Sequence, residues 1–432
     1  MKQIIFLTAL FFIALTACAR HPLVTEYQLA NGLKVMIISV KKAELVSLVT
    51  LYSIGETGDP QGKSGMAHLI EHLYVTSAAG EFPSRTADRF MADHPKGWNA
   101  QTGMDYTVIA TVFPQGQLDA ELSMAAARMK SLDITKNDLD REIPRIKQEL
   151  ANMYDWNPLL ASQNISQEAL LGFPPGGRKG GVIEQIQAIT VEELRAHLGA
   201  YYKPANALIV ISGPVKPLAI KERIANRFSK INGGKAFESR TVFASPSRAS
   251  FQVKEVTPLF KNTEPHVALS FRAPAPSDRS FPAFLVLVRR LMTNLEKLNL
   301  SPSTFLVYFA PLDKPEVVSL VLPAGNQETP EALLERLKDY VAEMRTMPPD
   351  NEELKSAREY FNFAYCRETY RLEALARDPY GVAFSVGRTQ QLGINGNALM
   401  RQIDAVTQEE INAAAECFAP EKSAAVIIKI KK

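Results

Sequence analysis

Two similar α+β domains, each a mostly antiparallel sheet flanked by helices, are the fold this sequence predicts. Three observations carry that prediction. A chain of 432 residues is too long for one ordinary hydrophobic core. Strand-like and helix-like segments follow in an order that begins again past the middle of the chain. Between the two runs lies Asn232 to Ser250, rich in Gly, Ser and Pro and without sustained periodicity. The expected division is a leader over 1–17, a first domain over 18–235, a linker over 236–250 and a second domain over 251–432.

In the first half, Tyr27 to Ser39 reads as two strands about a turn at Asn31-Gly32, and Val46 to Tyr52 as a third. A Gly/Asp/Pro loop from Gly55 to Gly65 precedes a helix beginning near Met66. Thr107 to Phe113 is strand-like, and Leu118 to Met153 reads as one long helical region. Ala207 to Ser212 is an apolar strand stopped by Gly213-Pro214, and Leu218 to Phe228 an amphipathic helix. The second half repeats the pattern: a strand at His266 to Phe271, a helix at Phe281 to Leu298, then strands at Thr304 to Phe309 and Glu316 to Leu322. Long helices follow, and a final strand runs from Ala424 to Ile430.

With 46% hydrophobic and 22% charged residues and a formal charge of +3, the chain has no basic block for a nucleic acid and no acidic tail. The N-terminus differs in kind. Lys2 precedes an uncharged apolar run, Ile4 to Ala17, which is too short to span a bilayer comfortably and reads as a secretory signal. Its end, Leu15-Thr16-Ala17-Cys18, resembles the lipobox of bacterial lipoproteins, with Cys18 as the acylated residue (palmitate among the expected chains). An ordinary signal with a chance cysteine is the alternative reading. Ala19 in place of Asp resembles the pattern sorted to the outer membrane of a Gram-negative cell, facing the periplasm. Cys366 and Cys417 remain after such cleavage, as a pair or as two free thiols.

The strongest chemical signal is His68-Leu-Ile-Glu-His72. Residues four apart stack on one helix face, so both imidazoles can address one ion, and Glu71 at the edge of that face can reach water without being a ligand. Zn²⁺ suits two imidazoles and a carboxylate, with a fourth position open. Six histidines scattered at random would match this spacing with odds on the order of 1 in 200. The motif is the inverted form of a zinc-peptidase signature. Glu142 and Glu149 lie two helical turns apart on one face. Spacing alone leaves them open between a third ligand and solvated carboxylates paired with Arg145 or Lys147.

With these residues in place, the chain from about Tyr27 onward resembles the pitrilysin/insulinase family of zinc peptidases, to which the mitochondrial processing peptidase belongs. The resemblance also includes Leu29-Ala-Asn-Gly-Leu-Lys-Val, the approach Gly55 to Ala67, and Gly97-Trp-Asn-Ala-Gln-Thr-Gly-Met-Asp-Tyr-Thr107. Thr190-Val-Glu-Glu-Leu and Tyr201-Tyr-Lys-Pro-Ala-Asn-Ala to Val215 complete it. It implies one zinc per chain held by His68, His72 and Glu149, with Glu71 as catalytic base and Glu142 orienting the site. It implies a fold that is half of a clamshell. It places Asn99 and Ala100 on an edge strand that takes up substrate backbone, although Asn99 also reads as a turn residue after Gly97. Pro144 inside the Glu142–Glu149 helix is an oddity that suggests a kink. The Arg and Tyr that active members draw from the second half fall, without gaps, on Leu295 and Pro302; Arg290 and Tyr308 lie nearby. The resemblance therefore implies a homologous partner chain supplying that pair. The competing expectation is a non-catalytic subunit that keeps the fold as a scaffold or peptide-binding partner.

Overall fold

The computed structural model describes residues 24–85, 97–171, 177–238, 249–260, 263–294, 306–309, 317–325, 328–365 and 379–431. Its first sheet has six strands: β1 (Val24–Gln28), β2 (Lys34–Ser39), β3 (Leu45–Tyr52), β4 (Trp98–Thr102), β5 (Thr107–Pro114) and β6 (Ala207–Gly213). They lie in the order β1-β2-β6-β3-β5-β4, with β2 and β6 parallel and the other pairs antiparallel. β3 and β6 are apolar on both faces because helices cover both. The hairpin at Asn31-Gly32 forms with Gly32 at φ 93°, and a Cβ there would sit 2.8 Å from the Cα of Ala205. β4 ends the sheet, so among the described strands nothing pairs with its outer edge.

The helices of this half are α1 (Met66–Thr76), α2 (Leu118–Lys130), α3 (Lys136–Ala151), α4 (Pro158–Leu171), α5 (Ile183–Gln187), α6 (Val191–Tyr201) and α7 (Pro217–Phe228). The single helical run expected from Leu118 to Met153 is in fact two helices. Ser131 is extended, and Thr135 starts α3 afresh through a capping box with Asp138. Pro144 lies within α3 without ending it, and the helix passes into a π turn only at Asn152–Trp156.

The second sheet contains β7 (Ser250–Val256), β8 (His266–Arg272), β9 (Leu306–Phe309), β10 (Val317–Pro323) and β11 (Ala424–Ile430), in the order β7-β11-β8-β10-β9. β7 runs parallel to β11 and the other pairs are antiparallel, so the sheet repeats the β2/β6 arrangement of the first. Sequence reasoning does not contain β7: Phe251, Gln252, Val253 and Glu255 are exposed on this edge strand, which leaves no apolar face to detect. Around the sheet lie α8 (Phe281–Thr293), α9 (Pro330–Met344), α10 (Asn351–Tyr365), α11 (Pro379–Leu392), α12 (Gly396–Asp404) and α13 (Gln408–Ala415). The expected leader, Cys18, Leu295, Pro302 and Cys366 lie outside the described residues.

Each half lends the other a helix. α4 packs on β8, β10 and β11, while α11 packs on β3, β5 and β6. Ser166 on α4 and Ser270 on β8 join hydroxyls at 2.7 Å, and Ser270 donates to Ser319 on β10 at 2.7 Å, all three buried. On the other side Val382, Ala383 and Val386 of α11 pack among Met36, Leu51 and Val210. Gly387 keeps this approach close: a Cβ would lie 2.2 Å from Leu51.

Candidate metal centre

α1 divides its faces sharply. Met66, Leu69, Ile70, Leu73 and Tyr74 are buried in the core, while His68, Glu71 and His72 are only partly buried. The helix starts at Gly65, whose φ of 99° an L side chain rarely adopts; a Cβ there would meet Ile186 at 2.5 Å. Asp59, six residues upstream, supplies the missing cap by accepting the amides of Gly65 (2.6 Å) and Ala67 (2.8 Å). Desolvation raises the Asp59 carboxyl to about 7 even though those amides favour its charge.

α3 faces α1 with two of its carboxylates, Glu142 and Glu149. Glu149 Oε2 lies 3.3 Å from His68 Nε2 and 3.3 Å from His72 Nε2. Glu142 Oε2, two turns earlier and 2% exposed, lies 3.3 Å from His72 Nδ1 and is also paired with Arg145. His68 Nδ1 meets the carbonyl of Gly180 at 2.8 Å. A carbonyl and a carboxylate only accept, so both Nδ1 atoms carry a proton and Nε2 is the atom of each ring left to meet an ion. The structure thus brings His68, His72 and Glu149 together, with one ligand atom from each lying within 4.8 Å of the others.

A geometric test shows what this trio fits. Bonds of about 2.0–2.1 Å in a tetrahedron separate neighbouring ligand atoms by about 3.3–3.4 Å, the Nε2–Oε2 spacing seen here. That spacing is long for a charge-assisted hydrogen bond, which closes to about 2.7–2.9 Å. The donor set, two imidazole nitrogens and a carboxylate, suits zinc, with the half-exposed Glu149 on the open side. Without a metal, burial works against charging His72, but Glu142 and Glu149 reverse this and raise it to about 9. Glu149 is itself held well below the usual carboxylate range: burial opposes ionisation, and the two histidines overcome it.

Glu71 stands beside the trio. Its Oε2 accepts the hydroxyl of Thr102 at 2.7 Å, which ties it to the last residue of β4. Asn99 and Ala100 sit on the same edge strand, opposite Ala110 and Ile109. Asn99 is not a turn residue: it lies within the strand, and its Nδ2 donates to Tyr380 of α11 at 2.5 Å. Arg388 of the same helix donates to Asp105 at 2.9 Å beyond the far end of β4. Neither Tyr380 nor Arg388 carries a local sequence signal, since both reach the site only through the helix exchange. Arg290 is not available as a substrate-binding arginine. It is 1% exposed and donates to Glu353 and to the carbonyls of Met344 (2.7 Å) and Met347 (2.8 Å). Tyr308 lies on β9, the edge of the second sheet.

Comparisons with known proteins bear on both halves. Residues 34–174 match the family described as Insulinase (Peptidase family M16), and residues 188–361 match the Peptidase M16 inactive domain. Zinc protease PqqE of Helicobacter pylori is 27% identical over 218 residues, which are 49% of this chain and 47% of that protein. The chloroplastic stromal processing peptidase of Arabidopsis thaliana is 26% identical over 248 residues, 54% of this chain and 18% of that protein. The match to the first of these thus spans about half the length of each protein. Among solved structures, a protease from Helicobacter pylori shares the fold with a TM-score of 0.78 at 19% identity, over 94% of this chain and 99% of that one. The periplasmic protease PqqL of Escherichia coli gives 0.70 at 18% identity, over 94% of this chain but only 48% of that one. With the insulinase match enclosing the histidine helix and both α3 carboxylates, and the second M16 match carrying on through the linker into the second sheet, the chain belongs to the pitrilysin/insulinase family, peptidase M16.

Proposed function

We propose that this chain is a zinc-dependent endopeptidase for unfolded peptides, working as the zinc-bearing subunit of a heterodimer. The observation that carries the reading is the placement of Glu71 between the His68–His72–Glu149 trio and a strand edge that no described strand pairs with. An extended peptide added to β4 would be held by its backbone, which explains how one site accepts many sequences. Asn99 and Ala100 line that strand, and Thr102 at its end keeps Glu71 turned toward the bond to be cut. Zinc, when bound by His68, His72 and Glu149, supplies Lewis acidity at the corner the chain leaves open. Glu71 takes the proton from the attacking water and returns it to the departing amine. Glu142 and Gly180 hold the imidazoles in one tautomer throughout.

The partner in this proposal is a homologous chain that supplies an Arg and a Tyr. Two observations support it: Arg290 is fully engaged inside its own domain, and 94% of this chain matches only 48% of PqqL. The anchor is also part of the proposal, with Cys18 lipidated and the protein at the outer membrane facing the periplasm. Labelled palmitate should enter the wild type and not Cys18→Ser. The test of the whole reading is zinc content and peptide cleavage, alone and with the candidate partner, in wild type and Glu71→Gln. The variant should keep its zinc and lose cleavage by at least a hundredfold. A folded Glu71→Gln that cuts as well as wild type removes Glu71 from the mechanism, and zinc binding without turnover beside any partner favours the scaffold reading.

A further inference from the structure

The two histidines are braced differently, and the difference singles out a residue outside the motif. His72 has a carboxylate directly on its Nδ1, from Glu142. His68 has only a backbone carbonyl, that of Gly180. The same Gly180 residue donates its N–H to Glu56 Oε1 at 2.9 Å, and Glu56 is 6% exposed with no partner for Oε2 among the described residues. We infer that Glu56 is the positioning residue for His68, acting through Gly180 as Glu142 acts directly on His72. The inference rests on the zinc reading above.

The surrounding loop is built as a strut. The N–H of Lys179 goes to Glu168 of α4 at 2.9 Å, and its carbonyl accepts the hydroxyl of Tyr154 at 2.8 Å. Arg178 and Val182 donate their amides to Ser64, Arg178 to Oγ and Val182 to the carbonyl, each at 3.2 Å. Gly181, at φ 103°, lies against Gly65 so closely that a Cβ would come within 2.4 Å of the Gly65 Cα. Gly180 itself has φ 78°. Backbone groups on both sides of the Gly180 carbonyl are thereby fixed, and Glu56 is the anchor on Gly180. A buried carboxyl group held against one amide, its other oxygen without a partner among the described residues, has no use in core packing that an apolar residue would not serve better. Its use is to aim the carbonyl that fixes the His68 tautomer and presents Nε2 to the ion.

The test compares two substitutions of similar volume. Glu56→Gln keeps an oxygen that accepts the Gly180 amide; Glu56→Met does not. Zinc affinity, measured by competition with a chromophoric chelator, should stay within about threefold of wild type in Glu56→Gln and fall by at least tenfold in Glu56→Met. In ¹⁵N-histidine-labelled, zinc-loaded protein, the His68 Nδ1–H resonance should exchange slowly with solvent in wild type and Glu56→Gln. It should exchange faster in Glu56→Met while that of His72 is unmoved. A folded Glu56→Met that binds zinc like wild type, with its His68 proton equally protected, overturns the inference. Should Glu56→Met not fold, Glu56→Gln decides: a His68 proton lost to solvent there refutes an anchoring role. Wild-type protein that takes up no zinc sinks the zinc reading itself, a result separable from the comparison of variants.

Discussion

Replacing Glu142 by Gln tests whether the carboxylate behind His72 tunes the metal site or merely fills space. Glu142 is 2% exposed and contacts His72 Nδ1 and Arg145, each at 3.3 Å. Glutamine keeps the shape and one acceptor oxygen but removes the charge. Losing a second-layer carboxylate typically weakens metal binding 10- to 100-fold. The 3.3 Å contact is long for a strong charged hydrogen bond, which places the expectation at the lower end, about tenfold or about 1.4 kcal/mol. Arg145 is 46% exposed at its side chain, so water replaces its lost partner, and apart from the share of the His72 charge that Glu142 supports, the metal-free form should lose less than about 1 kcal/mol. The measurement is zinc affinity by chelator competition at pH 7.5, alongside urea unfolding of the metal-free forms. Unchanged zinc affinity in a folded Glu142→Gln would refute the bracing argument; a stability loss of several kcal/mol would show that Glu142 is structural.

Two further outcomes follow from the same geometry. In the metal-free protein His72 is raised to about 9, so its contribution to stability is complete below pH 6.5 and is lost as pH rises toward 9. Glu56, pushed up to about 8 mainly by burial, acts in the same direction because the folded state holds its proton between pH 4.5 and 8. Unfolding free energy without zinc should therefore fall between pH 6.5 and 9, with a His72 share on the order of 3 kcal/mol; a flat profile in urea melts contradicts the assignment. Arg388→Met should cost about 3 kcal/mol, because Arg388 is 1% exposed and its loss breaks a buried ion pair with Asp105 beside the β4–β5 turn. Urea midpoints check this, and a loss under about 0.5 kcal/mol would mean that α11 is held by its apolar contacts alone.

The sequence carries the fold wherever burial repeats with a period. β2, β3, β6, β8 and β11 are apolar enough to be read directly, and α1 shows two kinds of residue on two faces. Reading fails where the physics is not periodic. The break between α2 and α3 depends on one capping box, a few residues of local chemistry inside a helical composition. Trp98–Thr102 gains its place as an edge strand from pairing with β5 and not from its own pattern. Among the site residues, His68, Glu71 and His72 are legible because helical spacing is local, whereas spacing alone leaves Glu142 and Glu149 open and only the family resemblance, or the packing of α3 on α1, brings them to the site. Glu56 and Gly180 are 124 residues apart, and Asn99 and Tyr380 are 281 apart. No single-chain pattern joins them.

The two halves share a topology and use it for different ends. In each, a helix follows the strand at the centre of the sheet: α1 after β3, and α8 after β8. α1 leaves a histidine, a carboxylate and a second histidine on an open face. α8 leaves no such face, because every residue from Phe281 to Val288 is buried. Its one buried arginine, Arg290, is consumed by Glu353 and two backbone carbonyls, so it braces α8 against the neighbouring helices. A helix apolar on all sides has been given over to packing. Among the described residues the cluster able to hold a metal lies in the first half, and the second half lends it α11, whose Tyr380 and Arg388 meet Asn99 and Asp105. In the proposed heterodimer the second chain would supply the charge that, among the described residues, neither α8 nor Arg290 offers.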